Sequence, residues 1–383
     1  GFTGKDCWAA GFQHFWLKGK ERGIAKEYGE YCNEWLAAKH NRFAVMPNQG
    51  LNYAYHFDSA RYATFLRGIA EEYGATRVEG KIQQVNQDPE SGFITQLILE
   101  SGGCVDGDFF VDCTGFRGLL IEQTLHAGFD DWQHWLPCDS ALAVQTENIQ
   151  PPIPYTRSIA HEAGWQWRIP LQHRTGNGMV YCSKFWSRDD AEAKLRSNVE
   201  GALVTDPRPI KFQTGTRRRQ WVKNCVAVGL SSGFMEPLES TSIHLIQHVV
   251  VRFMQMFPHE GVRQPDIEEF NNQMMFEIEN IRDFIILHYH VTERTDTPFW
   301  RHVRSMEIPD SLRHRINLFK ETGRVFKVPT ELFGENSWTQ VMLGQGLYPE
   351  QYHPIANMME DKELEDFLAG IHGSAQRLVS QLP

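Results

Sequence analysis

The sequence predicts an α/β (α+β) fold in which a sheet-rich body precedes a helical C-terminal part. Two observations carry this. Between about 76 and 227, short apolar runs of strand length are separated by Gly-, Pro- and Asp-rich turns. Past Pro237 the pattern lengthens to helical periodicity, in STSIHLIQHVVVRFMQMF and DIEEFNNQMMFEIENIRDFIILHYH. The chain of 383 residues accommodates a division into 1–235, the sheet-rich body, and 236–383, the helical region.

The first 50 residues read as mostly helical, with KGKERGIAKEYGEYCNEWLAAKH the clearest part, followed by the turn-rich PNQGLNYAYH. Asp58 or Ser59 can cap a helix through ARYATFLRGIAEEY that stops at Gly74. ATRVEGKIQQVNQ, FITQLILES and DGDFFVDCTG then suggest a three-stranded antiparallel meander. From about 139 to 225, ALAVQTE, GWQWRIPL, GMVYCSKFW, IKFQTGTRRRQW and NCVAVGL continue as strands. Beyond about 305 the helices are shorter.

Bulk properties exclude several classes. A net charge of −10 and a pI near 5.9 disfavour nucleic acid as a partner, since that binding depends on Lys and Arg neutralising phosphate. No apolar run approaches the roughly 20 residues that span a bilayer, and the opening GFTGKDCWAA lacks the order of a secretory signal. The 7 cysteines are scattered without a C-x-x-C pair, so reduced thiols in a cytoplasmic protein are expected. No metal site is expected; His288 and His290 have a spacing that suits a strand face, not the helical metal pair.

Three stretches are candidates for chemistry. In GWQWRIP, period-two geometry places Trp165, Trp167 and Ile169 on one face, as a sheet-core surface or as a wall between two compartments. In GLSSGFMEPLESTSIHLIQ, an apolar strand runs through a small-residue loop into a helix whose first N–H groups can hold an anion. Glu236 and Glu239 beside that helix start either complement its dipole or act chemically. In DFFVDCTGFRGLL, a strand ending at Asp112 leads to Gly115 and Gly118, where the backbone can approach a cofactor or simply turn. Arg217, Arg218 and Arg219 form a run that alternation divides between the interior and solvent.

Taken together, these stretches resemble the flavin-dependent halogenases. Trp165, Trp167, Ile169 and Pro170 match that family's W-x-W-x-I-P signature. EPLESTSIHLIQ resembles its catalytic segment, DFFVDCTGFRGLL its flavin-domain strand and RDFIILHYHVTERTDTPFW its helical region. The resemblance implies an FAD-binding fold similar to flavin monooxygenases, and FAD used as FADH2 supplied by a separate flavin reductase. With dioxygen and chloride or bromide, such an enzyme makes hypohalous acid, which halogenates an electron-rich aromatic. By the same resemblance, Glu239 and Ser240 are catalytic, and the backbone N–H groups of Thr241 and Ser242 bind halide, although Ser242 stands where glycine is usual. Leu230, Ile243 and Gly115 would touch the flavin, Ile82 would lie near its adenine, and Trp165 with Trp167 would separate flavin from substrate. A homodimer is a further family expectation. Competing readings are an aromatic hydroxylase and a non-catalytic flavin-fold remnant.

The sequence departs from the family pattern in two ways. GNG at 176–178 and GQG at 344–346 do not complete a G-x-G-x-x-G fingerprint in a strand-to-helix setting, so the dinucleotide-binding segment and the family's lysine are expected to be missing from the sequence. ELFGENSWTQVMLGQGLYPEQYHP does not match the residues that grip free tryptophan and resembles instead the halogenases that accept simple indoles, which implies an indole-like or phenolic small molecule, or a larger indole-bearing compound, as substrate.

Overall fold

The computed structural model describes residues 10–45 and 51–383; the opening segment and the Pro-Asn-Gln-Gly turn lie outside the described residues. Spatial contacts divide the chain into two compact units, each built from separate stretches: 1–56, 142–208 and 283–383 in one, and 57–141 and 209–282 in the other.

In the first unit, the N-terminal stretch expected to be mostly helical is broken into short helices. Helix Phe12–Glu21 ends where Gly23 takes a φ of +72°, and the next α-helix is only Asn33–Lys39, after the short 3-10 turn Tyr28–Tyr31. The glycine breaks the run because its left-handed conformation reverses the chain, whereas the polar periodicity on either side continues. Phe12, Tyr28 and Tyr31 pack their rings 5.2–5.8 Å apart. Leu36, Leu51, Ala375 and Val379 form a second apolar cluster that ties the N-terminal stretch to helix Asp361–Ser380. Strand Gly164–Pro170 lies between Arg157–His161 and Thr175–Tyr181, antiparallel to both, with Ser140–Thr146 beyond. Helix Arg188–Asn198 covers this sheet through Ala191 and Leu195, packed on Leu142, Val144 and Met179.

In the second unit, Asp58 caps helix Ser59–Glu72 by accepting from the N–H groups of Ala60 and Arg61, and Gly74 stops it at φ +94°. A three-stranded antiparallel meander follows, but its third strand is Cys104–Asp106 rather than the DFFVDC segment. Phe110–Asp112 instead pairs in parallel with Cys225–Ala227. Strand propensity marks both segments equally, and the choice of partner is made by burial: Phe110, Leu120, Ile121, Val222 and Cys225 share one core cluster. IKFQTGTRRRQW is likewise not one strand but three short ones, Arg208–Lys211, Gly215–Arg217 and Trp221–Val222.

Helix Ser242–Gln255 buries only Val249, while Ile246, Val250, Val251 and Met254 on its apolar surface stay exposed. Helix Gln264–His290 runs on past residue 282 as one element. No disulfide joins the cysteines among the described residues, and none of the described helices is long and apolar enough to cross a membrane.

Candidate functional site

In the second unit, the site begins at Asp112. Its fully buried carboxylate accepts four hydrogen bonds, from Thr114 N–H (2.8 Å) and Oγ1 (2.7 Å) through Oδ1, and from Leu120 and Ile121 N–H (2.8 Å each) through Oδ2. The turn from Cys113 to Ile121 is thus wound around one side chain. Within it, Gly115 takes a φ of +71°, and a Cβ there would meet no atom within 4 Å, so the turn presents open backbone at the surface.

A second turn, Gly229–Ser231, is joined to the first. The Val228 N–H donates to Asp112 O at 3.0 Å, and Ser231 Oγ donates to the same carbonyl. Arg217 reaches both turns: Nε donates to Ser231 O at 3.1 Å, Nη2 reaches Phe116 O at 3.5 Å, and Nη1 pairs with Glu122 at 3.2 Å. Arg217 is buried whereas Arg218 and Arg219 are both exposed; alternation would set Arg219 with Arg217, but the strand ends at Arg217. The positioning work of Arg217 was not visible in the sequence, because its partners come from three separate turns.

The expected helix start is more structured than its sequence implies. Pro237 opens a short 3-10 turn, Pro237–Glu239, not the main helix. Ser240 then adopts a left-handed conformation (φ +55°, ψ +37°), a strained backbone for a residue with a side chain. This kink separates Glu239 from helix Ser242–Gln255, whose N-cap Thr241 is buried and makes no side-chain cap hydrogen bond. The first-turn N–H groups are therefore left to another acceptor, at the positive end of the helix dipole.

A cavity of about 160 Å³ lies against this turn, lined by Gly229, Leu230, Phe234, Thr241, Ser242 and Ile246 among others. Leu230, Thr241 and Ser242, which the family resemblance assigns to flavin and halide, line it together. Ile243 is 43% exposed on the same helix turn, and Glu239 is half-buried on the 3-10 turn. Ile82 sits half-buried on the meander opposite Leu99 and does not line the cavity.

The tryptophan stretch belongs to the first unit. Trp165 and Trp167 point to one face of their strand, ring centroids 6.1 Å apart and planes tilted by 58°. Trp165 is buried; Trp167 and Ile169 are half-buried. On the opposite face two polar side chains are buried: Gln166 bonds His161 at 3.1 Å, and Arg168 pairs with Glu200. Across the sheet, Trp167 faces Gly178, and a Cβ on that glycine would lie 1.9 Å from the indole. The GNG triplet thus makes room for Trp167. At the far end of the strand, Pro170 and Leu171 line a cavity of about 390 Å³ with Arg42, Phe43, Tyr53, His56 and Ile153.

Comparison with known proteins shows the family. Residues 1–361 match the family model described as tryptophan halogenase, and the chain belongs to that family. It is 36% identical over 340 residues to a tryptophan 6-halogenase from Streptomyces toxytricini, covering 86% of this chain and 64% of that protein. It is 33% identical to a tryptophan 7-halogenase from Lentzea aerocolonigenes, covering 97% of this chain and 74% of that one. Among solved structures, a flavin-dependent halogenase from Xanthomonas campestris superposes with a TM-score of 0.98 at 55% identity, covering all of this chain and 78% of that one. A flavin-dependent halogenase from Brevundimonas gives 0.97 at 42% identity, covering all of this chain and 80% of that one. The chain thus spans just under two thirds of the first of these relatives and about three quarters or more of the others.

Proposed function

We propose that the protein carries out FAD-dependent halogenation of an electron-rich, indole-like aromatic, with reduced flavin supplied by a separate flavin reductase. The observation that carries this reading is the meeting of Leu230, Thr241 and Ser242 at one cavity, where the Ser240 kink leaves a helix N-terminus uncapped.

The residues present fit a flavin. Gly115 gives a turn of open backbone, and Leu230 and Ile243 offer bare apolar side chains, 42% and 43% exposed, suited to a flat ring. When bound, the reduced flavin would supply two electrons to dioxygen, so that one oxygen atom leaves as water and the other oxidises the halide to hypohalous acid. The chain's own contribution is placement. Backbone N–H groups at Thr241 and Ser242 hold chloride or bromide at the positive helix end. The Glu239 carboxylate orients the oxidant and accepts the proton released from the aromatic carbon. The family resemblance assigns to Trp165 and Trp167 the part of keeping organic substrate from the flavin.

The test is mass spectrometry of indole incubated with the full-length protein, FAD, flavin reductase, NADH, oxygen and bromide. A product with the isotope doublet of bromine, lost in E239A while flavin binding persists, is expected. An oxygenated product without bromine would replace this reading with aromatic hydroxylation.

A further inference from the structure

The second unit holds a group of metal-ligating side chains that the halogenation reading does not use. His244 and His248 are one helical turn apart, so both imidazoles leave the same face of helix Ser242–Gln255, their ring centroids 3.9 Å apart. Both aim at Glu277 of helix Gln264–His290. Nε2 of His244 lies 2.6 Å from Oε1, and Nδ1 of His248 lies 2.9 Å from the same oxygen. The three ligand atoms fall within 4.8 Å of one another. Arg252, a further turn along the face, ion-pairs with Oε2 of the same carboxylate.

The burial of these groups is graded. The Glu277 side chain is 1% exposed, His244 23% and His248 42%, so a buried anionic anchor opens towards solvent through two imidazoles. Two imidazoles at i and i+4 with a carboxylate from a neighbouring helix form a three-ligand set that leaves positions for water. Tetrahedral bonds of 2.0–2.1 Å place neighbouring ligand atoms roughly 3.3 Å apart. The two ring nitrogens need therefore withdraw from Oε1 by less than ~1 Å, a movement open to the half-exposed His248. Arg252 plays the part of an outer partner that fixes the carboxylate and balances its charge.

We propose that His244, His248 and Glu277 bind a divalent transition metal of the zinc class. Imidazole nitrogen selects such ions over magnesium or calcium, which favour all-oxygen sets. The ion clamps helix Ser242–Gln255 to helix Gln264–His290, two turns or less from the helix start at Ser242. This site replaces the expected absence of metal. His244 and His248 stand in SIHLIQHVV at the His-x-x-x-His spacing that brings two imidazoles to one helical face.

The experiment uses untagged protein equilibrated with zinc chloride, desalted, and assayed for zinc by mass spectrometry alongside a thermal melt. About one zinc per chain is expected to remain, falling at least ~10-fold in H244A and H248A. Zinc should raise the melting temperature of the unmodified protein and leave that of H248A unchanged. Melts in EDTA establish that H248A is folded; should it not be, H248Q takes its place. No retained zinc, or equal retention in the folded variant, overturns the proposal.

Discussion

At the scale of single residues, the tightest constraint is the pairing of Trp167 with Gly178. Alternation along GWQWRIP gives the shared face of the two indoles, but not what they rest on. That depends on the register between Gly164–Pro170 and Thr175–Tyr181, which the intervening turn sets. A methyl group at Gly178 has to displace the indole, as its Cβ would sit 1.9 Å from the ring. G178A is expected to cost about 2 kcal/mol, read as a lower midpoint in urea unfolding, whereas G176A, facing Ile169 with no atom closer than 3.7 Å, should change little. Equal effects from the two would show that the indole is free to move. Glu239 and Thr241 were visible as residues, yet the kink at Ser240 between them was not, since serine is not the residue that ordinarily marks a left-handed turn.

At the scale of elements, local signals are legible in the sequence and pairing partners are not. The Asp58 cap and Gly74 stop bound their helix as expected, because caps are made by neighbours in sequence. The strand ending at Asp112 was recognised, but its parallel partner Cys225–Ala227 is more than a hundred residues away and leaves no local mark. The turn after that strand depends on Asp112, which only accepts hydrogen bonds. In D112N, the amide presents N–H hydrogens to backbone donors that have no other acceptor. A loss of roughly 3 kcal/mol is expected, together with faster amide exchange at Leu120 and Ile121. Unchanged exchange there would remove Asp112 from the centre of the turn.

At the scale of the molecule, each unit is assembled from stretches distant in sequence, and composition cannot indicate which stretches meet. His14 shows the consequence. Its Nδ1 accepts from the His353 N–H at 3.1 Å, and burial, followed by the charges of His353 and Arg324, lowers its pKa to about 4. Above the unfolded value near 6.5, both states carry a neutral ring and its stabilising contribution is complete. As pH falls towards about 4, the unfolded chain takes up a proton that the folded ring refuses, so stability declines and then levels off. The decline amounts to roughly 3 kcal/mol. Denaturation curves across this range should show it, and H14Q should flatten the profile; an unaltered slope would assign the effect to other groups.

The tilted tryptophan pair also has an optical consequence. Two identical chromophores 6.1 Å apart and inclined by 58° couple their electronic transitions, so light absorbed by one is shared with the other. Such a pair adds a two-signed band to the far-ultraviolet circular dichroism, one that neither indole would produce alone. The protein therefore carries an intrinsic optical gauge of how these two rings are held, readable without a label.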